Sequence, residues 1–255
     1  HRTLRVLALA ALAGLLAACA GQPSRTSTAQ APADEAVAKK PSADEPAAAA
    51  EAALPKQDLT GETVYEFLLA EIASQRGNAT LSAQAYADLA RRTKDPRVAE
   101  RATQIALEAR MPEAAIESAK VWADAAPDSP RALGAAASLL VSANRVDEAQ
   151  PYLKRILAAS GEGRGDGFIQ VNRLLANNPD KAASLRAMQS LAEPYPNLAQ
   201  ARFAVAASAA GAGQDEIALK EIRAASQLKP DWELAALFEA QLLQKKSNAA
   251  ASERL

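Results

Sequence analysis

The chain has 255 residues with 29 basic and 30 acidic side chains, a formal net charge of −1, one cysteine and one histidine. That length holds one or two domains. A single thiol rules out an internal disulfide, a single imidazole beside it rules out a Cys/His zinc site, and the even charge balance gives no electrostatic case for nucleic-acid binding. The first element in chain order is a pair of cations, Arg2 and Arg5, ahead of an uncharged run from Val6 to Ala18. Spanning a bilayer core takes about 20 apolar residues. The shorter run has the length and charge order of an export signal.

The run ends in Leu16-Ala17-Ala18-Cys19, with Ala20 and Gly21 following. This string resembles the lipobox of bacterial lipoprotein signals. The resemblance implies cleavage before Cys19 and transfer of a diacylglycerol to its thiol. Residues 1–18 are therefore expected to be a signal peptide, with further sequence upstream of His1. The absence of Asp after Cys19 implies sorting to the outer membrane, facing the periplasm, with the inner membrane as the alternative. With Cys19 lipidated and His1 in the leader, no histidine-activated nucleophile remains. Carboxylate catalysis needs two facing acids held at different pKa values, and no spacing marks such a pair. No cofactor or metal is expected.

Residues 19–58 carry Pro23, Pro32, Pro41, Pro46 and Pro55 among Ala, Ser, Thr and Gln, with few large apolar side chains. Such a segment buries too little surface to offset its ordering entropy. It reads as a disordered tether.

From Leu59 the apolar residues recur at three- and four-residue spacing, the helical period. Pro127, Pro196 and Pro230 sit in similar contexts, 69 and 34 residues apart. A period near 34 predicts helix–turn–helix repeats. Small residues recur with it: Ala70 and Ser82, Ala115, Ala137 and Ala149, Ala206 and Ala218. Each is expected where two helices cross closely. Gly213 is expected just past a helix end, where a left-handed residue is favoured. Gly161 to Gly167 reads as a flexible connection, with Phe168 to Asn178 and Lys181 to Glu193 as the fourth helix pair. No Gly-Lys-Ser/Thr follows it, so it is no phosphate loop. Trp232 to Lys246 should form the first helix of a sixth unit. Ser247-Asn248 is expected to turn, and residues 249–255 to begin a second helix that is cut short. The expected fold over 59–255 is an all-α, right-handed α-solenoid of about five and a half units, truncated at its C-terminus.

Leu59 to Ala73, Leu89 to Ala102 and Leu228 to Ala235 together resemble the proteobacterial tetratricopeptide lipoproteins. That resemblance implies an envelope adaptor that recruits a periplasmic carboxyl-terminal processing protease and its substrates, and that is not itself an enzyme. The alternatives are a lipoprotein assisting outer-membrane or pilus assembly and, behind it, a carboxylate-based envelope enzyme. In either scaffold reading, proteins or peptides dock on a concave face lined by the first helix of each pair. The repeat register places Val64, Phe67 and Glu71 there, then Arg97, Glu100 and Gln104, then Arg131 and Ser138, then Gln200 and Phe203, and finally Leu237 and Gln241. For Phe67 and Phe203, burial between repeats is an equal reading. Arg91, Arg92, Lys94, Arg97 and Arg101 form a basic cluster, read as a solvated helix end.

Overall fold

The computed structural model describes Pro55 and residues 58–252, all within one compact unit. The expected leader, Cys19 and most of the tether lie outside the described residues.

Eleven α-helices follow one another, with no strand among the described residues. They are α1 Gly61–Gln75, α2 Ala79–Thr93, α3 Pro96–Glu108, α4 Pro112–Ala125, α5 Pro130–Ser142, α6 Val146–Ala159, α7 Arg164–Leu175, α8 Lys181–Ala192, α9 Ala199–Gly211, α10 Asp215–Leu228 and α11 Glu233–Ser252. A single 3₁₀ turn, Gly161–Gly163, leads into α7. Each helix packs on its successor, and several also pack on the next but one. This is the contact pattern of a stack of antiparallel helix pairs, the helical solenoid that the period predicts.

Local chemistry sets the helix starts. Thr60, Asn78, Asp95, Ser129 and Asp180 each accept a backbone N–H of the first turn through a side-chain oxygen. Pro96, Pro112 and Pro130 open their helices, where a missing N–H costs nothing. The helix ends repeat a single device. Gly77, Arg110, Asn144 and Gly213 have φ of +75°, +54°, +59° and +72°. Each donates its N–H to the carbonyl three residues back, while the next residue donates to the carbonyl five back, as Gln214 does to Ala209 at 2.9 Å. These four Schellman turns close α1, α3, α5 and α9, the first helix of four pairs.

Inside the pairs, Ala70, Ala115, Ala137, Ala149, Ala206 and Ala218 are fully buried, and Ser82 is too. Where serine replaces alanine it finds a carbonyl: Ser82 Oγ donates to Ala70 O at 2.8 Å, and Ser184 Oγ donates to Leu175 O at 3.0 Å. Small side chains bring the helix axes close. Leu133, Leu140, Leu153, Phe168 and Ile222 fill the remaining space at 0% exposure. Complete burial of a side chain of this size stabilises by about 1.5–3 kcal/mol. Polar contacts between successive units run along the edges, among them Arg131–Glu100 at 2.6 Å, Arg145–Glu113 at 2.9 Å and Ser208–Asn172 at 3.1 Å.

Two sequence expectations are corrected. The Gly161–Gly167 stretch is no flexible connection, because α7 already begins at Arg164 and Gly165 and Gly167 are buried within it. A Cβ on Gly165 would lie 2.7 Å from Gln200 Cδ, and one on Gly167 would lie 2.6 Å from Ser160 Oγ. The glycines admit a close approach of α7 to α9 and to the end of α6. The expected turn at Ser247-Asn248 is likewise absent, since α11 runs unbroken from Glu233 to Ser252. No glycine or proline interrupts that stretch, and its alanines have the highest helix propensity. Ala240, 34 residues after Ala206, is exposed, and among the described residues no second helix packs over it.

Candidate functional site

The starts of α1 and α3 lie side by side over the end of α2 and enclose a cavity of about 290 Å3. Its walls are Val64, Phe67 and Leu68 of α1, Val98 of α3, and Leu89 of α2; Pro55 and Leu59 close one end. Thr93, Asp95 and Arg97 make its polar edge. Heptad-like spacing within α1 accounts for the apolar wall, since Val64, Phe67 and Leu68 lie within little more than one turn. None of the three is covered: they are 41%, 45% and 50% exposed.

Phe67 is partly held. Its ring meets Tyr86 edge-on, at 6.3 Å and 87° between planes. Tyr86, buried on α2, donates its hydroxyl to the Glu71 carboxylate, and the Arg101 guanidinium lies 6.0 Å from its ring centre. Burial pushes the Tyr86 phenol up to about 12, and the hydrogen bond to Glu71 and that residue's charge push the same way. At the polar edge, Asp95 caps α3 and takes two further hydrogen bonds from the Arg97 guanidinium, at 3.1 and 2.7 Å. Burial pushes the Asp95 carboxyl up. The side-chain and backbone hydrogen bonds and the charge of Arg97 outweigh it and hold the group below the usual carboxylate range.

The sequence-predicted face divides into three parts. Val64, Phe67 and Arg97 meet at this cavity, with Glu71 one turn beyond Phe67 and Glu100 one turn beyond Arg97. Gln104 is exposed on the same helix and donates to Glu100 at 3.4 Å. Arg131 joins them through its 2.6 Å contact with Glu100. Ser138 and Gln200 are half-buried along α5 and α9, and Gln200 lies against Gly165. Leu237 and Gln241 are exposed on α11, away from the cavity. Phe203 is the correction. It is 8% exposed, with its ring 5.0 Å from Trp232 and 5.4 Å from Phe238, and so belongs to the packing between α9 and α11.

Leu68, Leu89, Val98 and Asp95 line the cavity as well and lie outside the residues that the repeat register selects. Leu89 comes from the second helix of its pair, which no first-helix register includes. Asp95 carries a legible signal as the residue before Pro96. The basic cluster is dispersed by the fold: Arg91 pairs with Asp88, Arg92 with Glu62 and Glu66, and Arg97 with Asp95, while Arg101 lies over Tyr86. Among the described residues, no group of three His, Cys, Asp or Glu is placed to hold a metal ion. No described helix is long and apolar enough to cross a membrane.

No protein-family model matches the chain. It is 32% identical over 142 residues to the TPR repeat-containing protein PA4667 of Pseudomonas aeruginosa, a match covering 56% of this chain and 24% of that protein. The chain thus spans about a quarter of the length of this relative. Among solved structures it is similar to the MamA protein, at 16% identity and a TM-score of 0.38, covering 67% of this chain and 94% of that one. It is also similar to YrrB, described as a TPR protein with an unusual peptide-binding site, at 18% identity and a TM-score of 0.36, covering 78% and 98%. PilW, a type IV pilus biogenesis factor, gives 15% identity and 0.36, covering 76% and 90%.

Proposed function

We propose that this chain is a tetratricopeptide-type scaffold that binds other proteins and catalyses no reaction itself. We further propose that it is anchored in the bacterial outer membrane through lipidated Cys19 and brings a periplasmic carboxyl-terminal processing protease together with its substrates. The observation that carries the binding role is the cavity between α1 and α3. It is concave and largely apolar, and the α1 side chains in its wall, Val64, Phe67 and Leu68, are uncovered. The similarity to a TPR repeat-containing protein supports the class. Anchoring and the protease rest on the lipobox-like string and the resemblance of the repeat sequences. Three acyl chains hold a protein stably where one is marginal, and tethering raises the effective concentration of whatever is bound.

The test uses the purified full-length protein and the carboxyl-terminal processing protease of the same organism. Complex formation and faster substrate degradation are expected. If the protein neither binds nor stimulates the protease, the adaptor role falls and assembly of outer-membrane machinery becomes the leading scaffold role. Anchoring is checked separately: Cys19→Ser should abolish acylation and release the protein from membranes, and retention of the variant with unchanged mobility would overturn it.

A further inference from the structure

We infer that the α1–α3 cavity is a docking site for this chain's own segment ahead of Pro55, with Leu54 as the side chain that enters it. Pro55 is half-buried at one end of the cavity, beside Leu59. Across a trans peptide the residue before it lies about 3.8 Å away, Cα to Cα, so the upstream chain starts from the mouth of the cavity. The walls left open there are Val64, Phe67 and Leu68. Covering them with another apolar side chain takes both surfaces out of water, which is favourable.

Composition and chain entropy select Leu54. Val37 and Leu54 are the two branched aliphatic residues between Cys19 and Asp58, and no aromatic lies there. The entropy lost in closing a loop grows with the length of chain brought back. Leu54 adjoins a residue already placed at the cavity and closes almost no loop, whereas Val37 would close a long one. A separate molecule also loses its freedom of translation and rotation on docking. An attached segment does not, and a short link holds it at an effective concentration on the order of millimolar. From Ala47 to Leu54 only Glu51 is charged. The ion pairs beside the cavity, Arg97 with Asp95 and Arg92 with Glu62 and Glu66, stay intact when an uncharged side chain enters. Apolar contact therefore drives the docking. A partner that uses the same walls has to displace Leu54.

The test reads how often the wall is open. Cys19→Ser leaves the full chain without a thiol, and Leu68→Cys or Val64→Cys then supplies one in the wall, whose rate of reaction with a maleimide is measured. Adding Leu54→Ser should raise that rate by about fivefold, the scale of losing one leucine's burial against a half-covered wall. Adding Val37→Ser should not raise it, and the rate should be independent of protein concentration. Leu237→Cys, exposed on α11 and away from the cavity, should react at the same rate with either residue at position 54. Circular dichroism checks that each variant keeps its helix content, and the two wall positions guard against one that does not fold. An unchanged rate on Leu54→Ser overturns the inference. A rise on Val37→Ser, or protection that grows with protein concentration, overturns it in favour of a more distant segment or a second copy. No partner takes part, so the outcome is independent of the binding role proposed above.

Discussion

At Gly213 and Arg110 the backbone takes the same left-handed conformation, with φ of +72° and +54°. Nothing lies within 4 Å of a Cβ built on Gly213, so alanine there meets strain and no clash. Left-handed backbone costs an L-residue about 1–2 kcal/mol. Gly213→Ala should therefore lower the melting temperature by a few degrees and Arg110→Gly should raise it, measured by calorimetry. Opposite or null shifts in both would mean that the turns are not the repeated device described. Tyr86 gives a second prediction at this scale. Its phenol rises from the ordinary 10.0 to about 12 in the folded chain, first through burial and then through Glu71. The unfolded chain loses that proton first as pH rises. The stabilisation is therefore whole below about pH 10 and is lost as pH climbs toward 12. Burial moves Tyr152 the same way. Tyr86→Phe should thus flatten, without abolishing, the loss of stability between pH 10 and 12, as followed by urea denaturation.

The helix pair is the unit in which small residues matter. Ala206 on α9 and Ala218 on α10 are both fully buried, while Lys220, two residues further on, is exposed. Overpacking such a crossing costs typically about 1–3 kcal/mol. In a domain of this size each kcal/mol lowers the melting temperature by about 2–4 °C. Ala218→Leu should show that loss and Lys220→Leu should not, and equal shifts would put the repeat register out of step. Gly165 and Gly167 extend the rule to the fourth pair. There the close approach lies between helices of different units, so the glycines fall outside the crossing positions and read as a linker in the sequence. Arg202 shows how a pair is tied to its connection. Its guanidinium bonds Glu221 on α10 at 2.8 Å and the Pro196 carbonyl at 3.0 Å.

Across the whole stack, the first and last helices bear the most uncovered apolar surface. Tyr65, Leu68 and Ile72 of α1, and Leu234, Leu237 and Leu243 of α11, are between 43% and 65% exposed. Equivalent residues of inner helices, such as Ile105, are buried. The two phenylalanines expected on one face divide along this line. Phe203 is locked between α9 and α11 and Phe67 opens on the cavity. Phe203→Ser should therefore lose helix content and several degrees of melting temperature, as buried phenylalanine truncations commonly cost about 3–5 kcal/mol. Phe67→Ser should keep its circular dichroism spectrum and lose ligand binding. A cooperative loss of structure in the Phe67 variant would place it in the core as well.

By itself the sequence determined the helical class, the period near 34 and the small crossing residues. These are local: they follow from 3.6-residue spacing and from which side chains fit between two close axes. Gly213, Ala70, Ala206 and Ala218 could be assigned because each acts within one pair. Only the tertiary structure decided which apolar side chains remain uncovered. Phe67 and Phe203 occupy the same position in their repeats, yet one has Trp232 and Phe238 against it and the other has open space. That difference comes from neighbours brought in by the stack. The cavity is likewise a product of three helices, with Leu89 contributed from outside the expected face. At the cavity's polar edge the burial of Asp95 beside an exposed Arg97 side chain is also a result of packing.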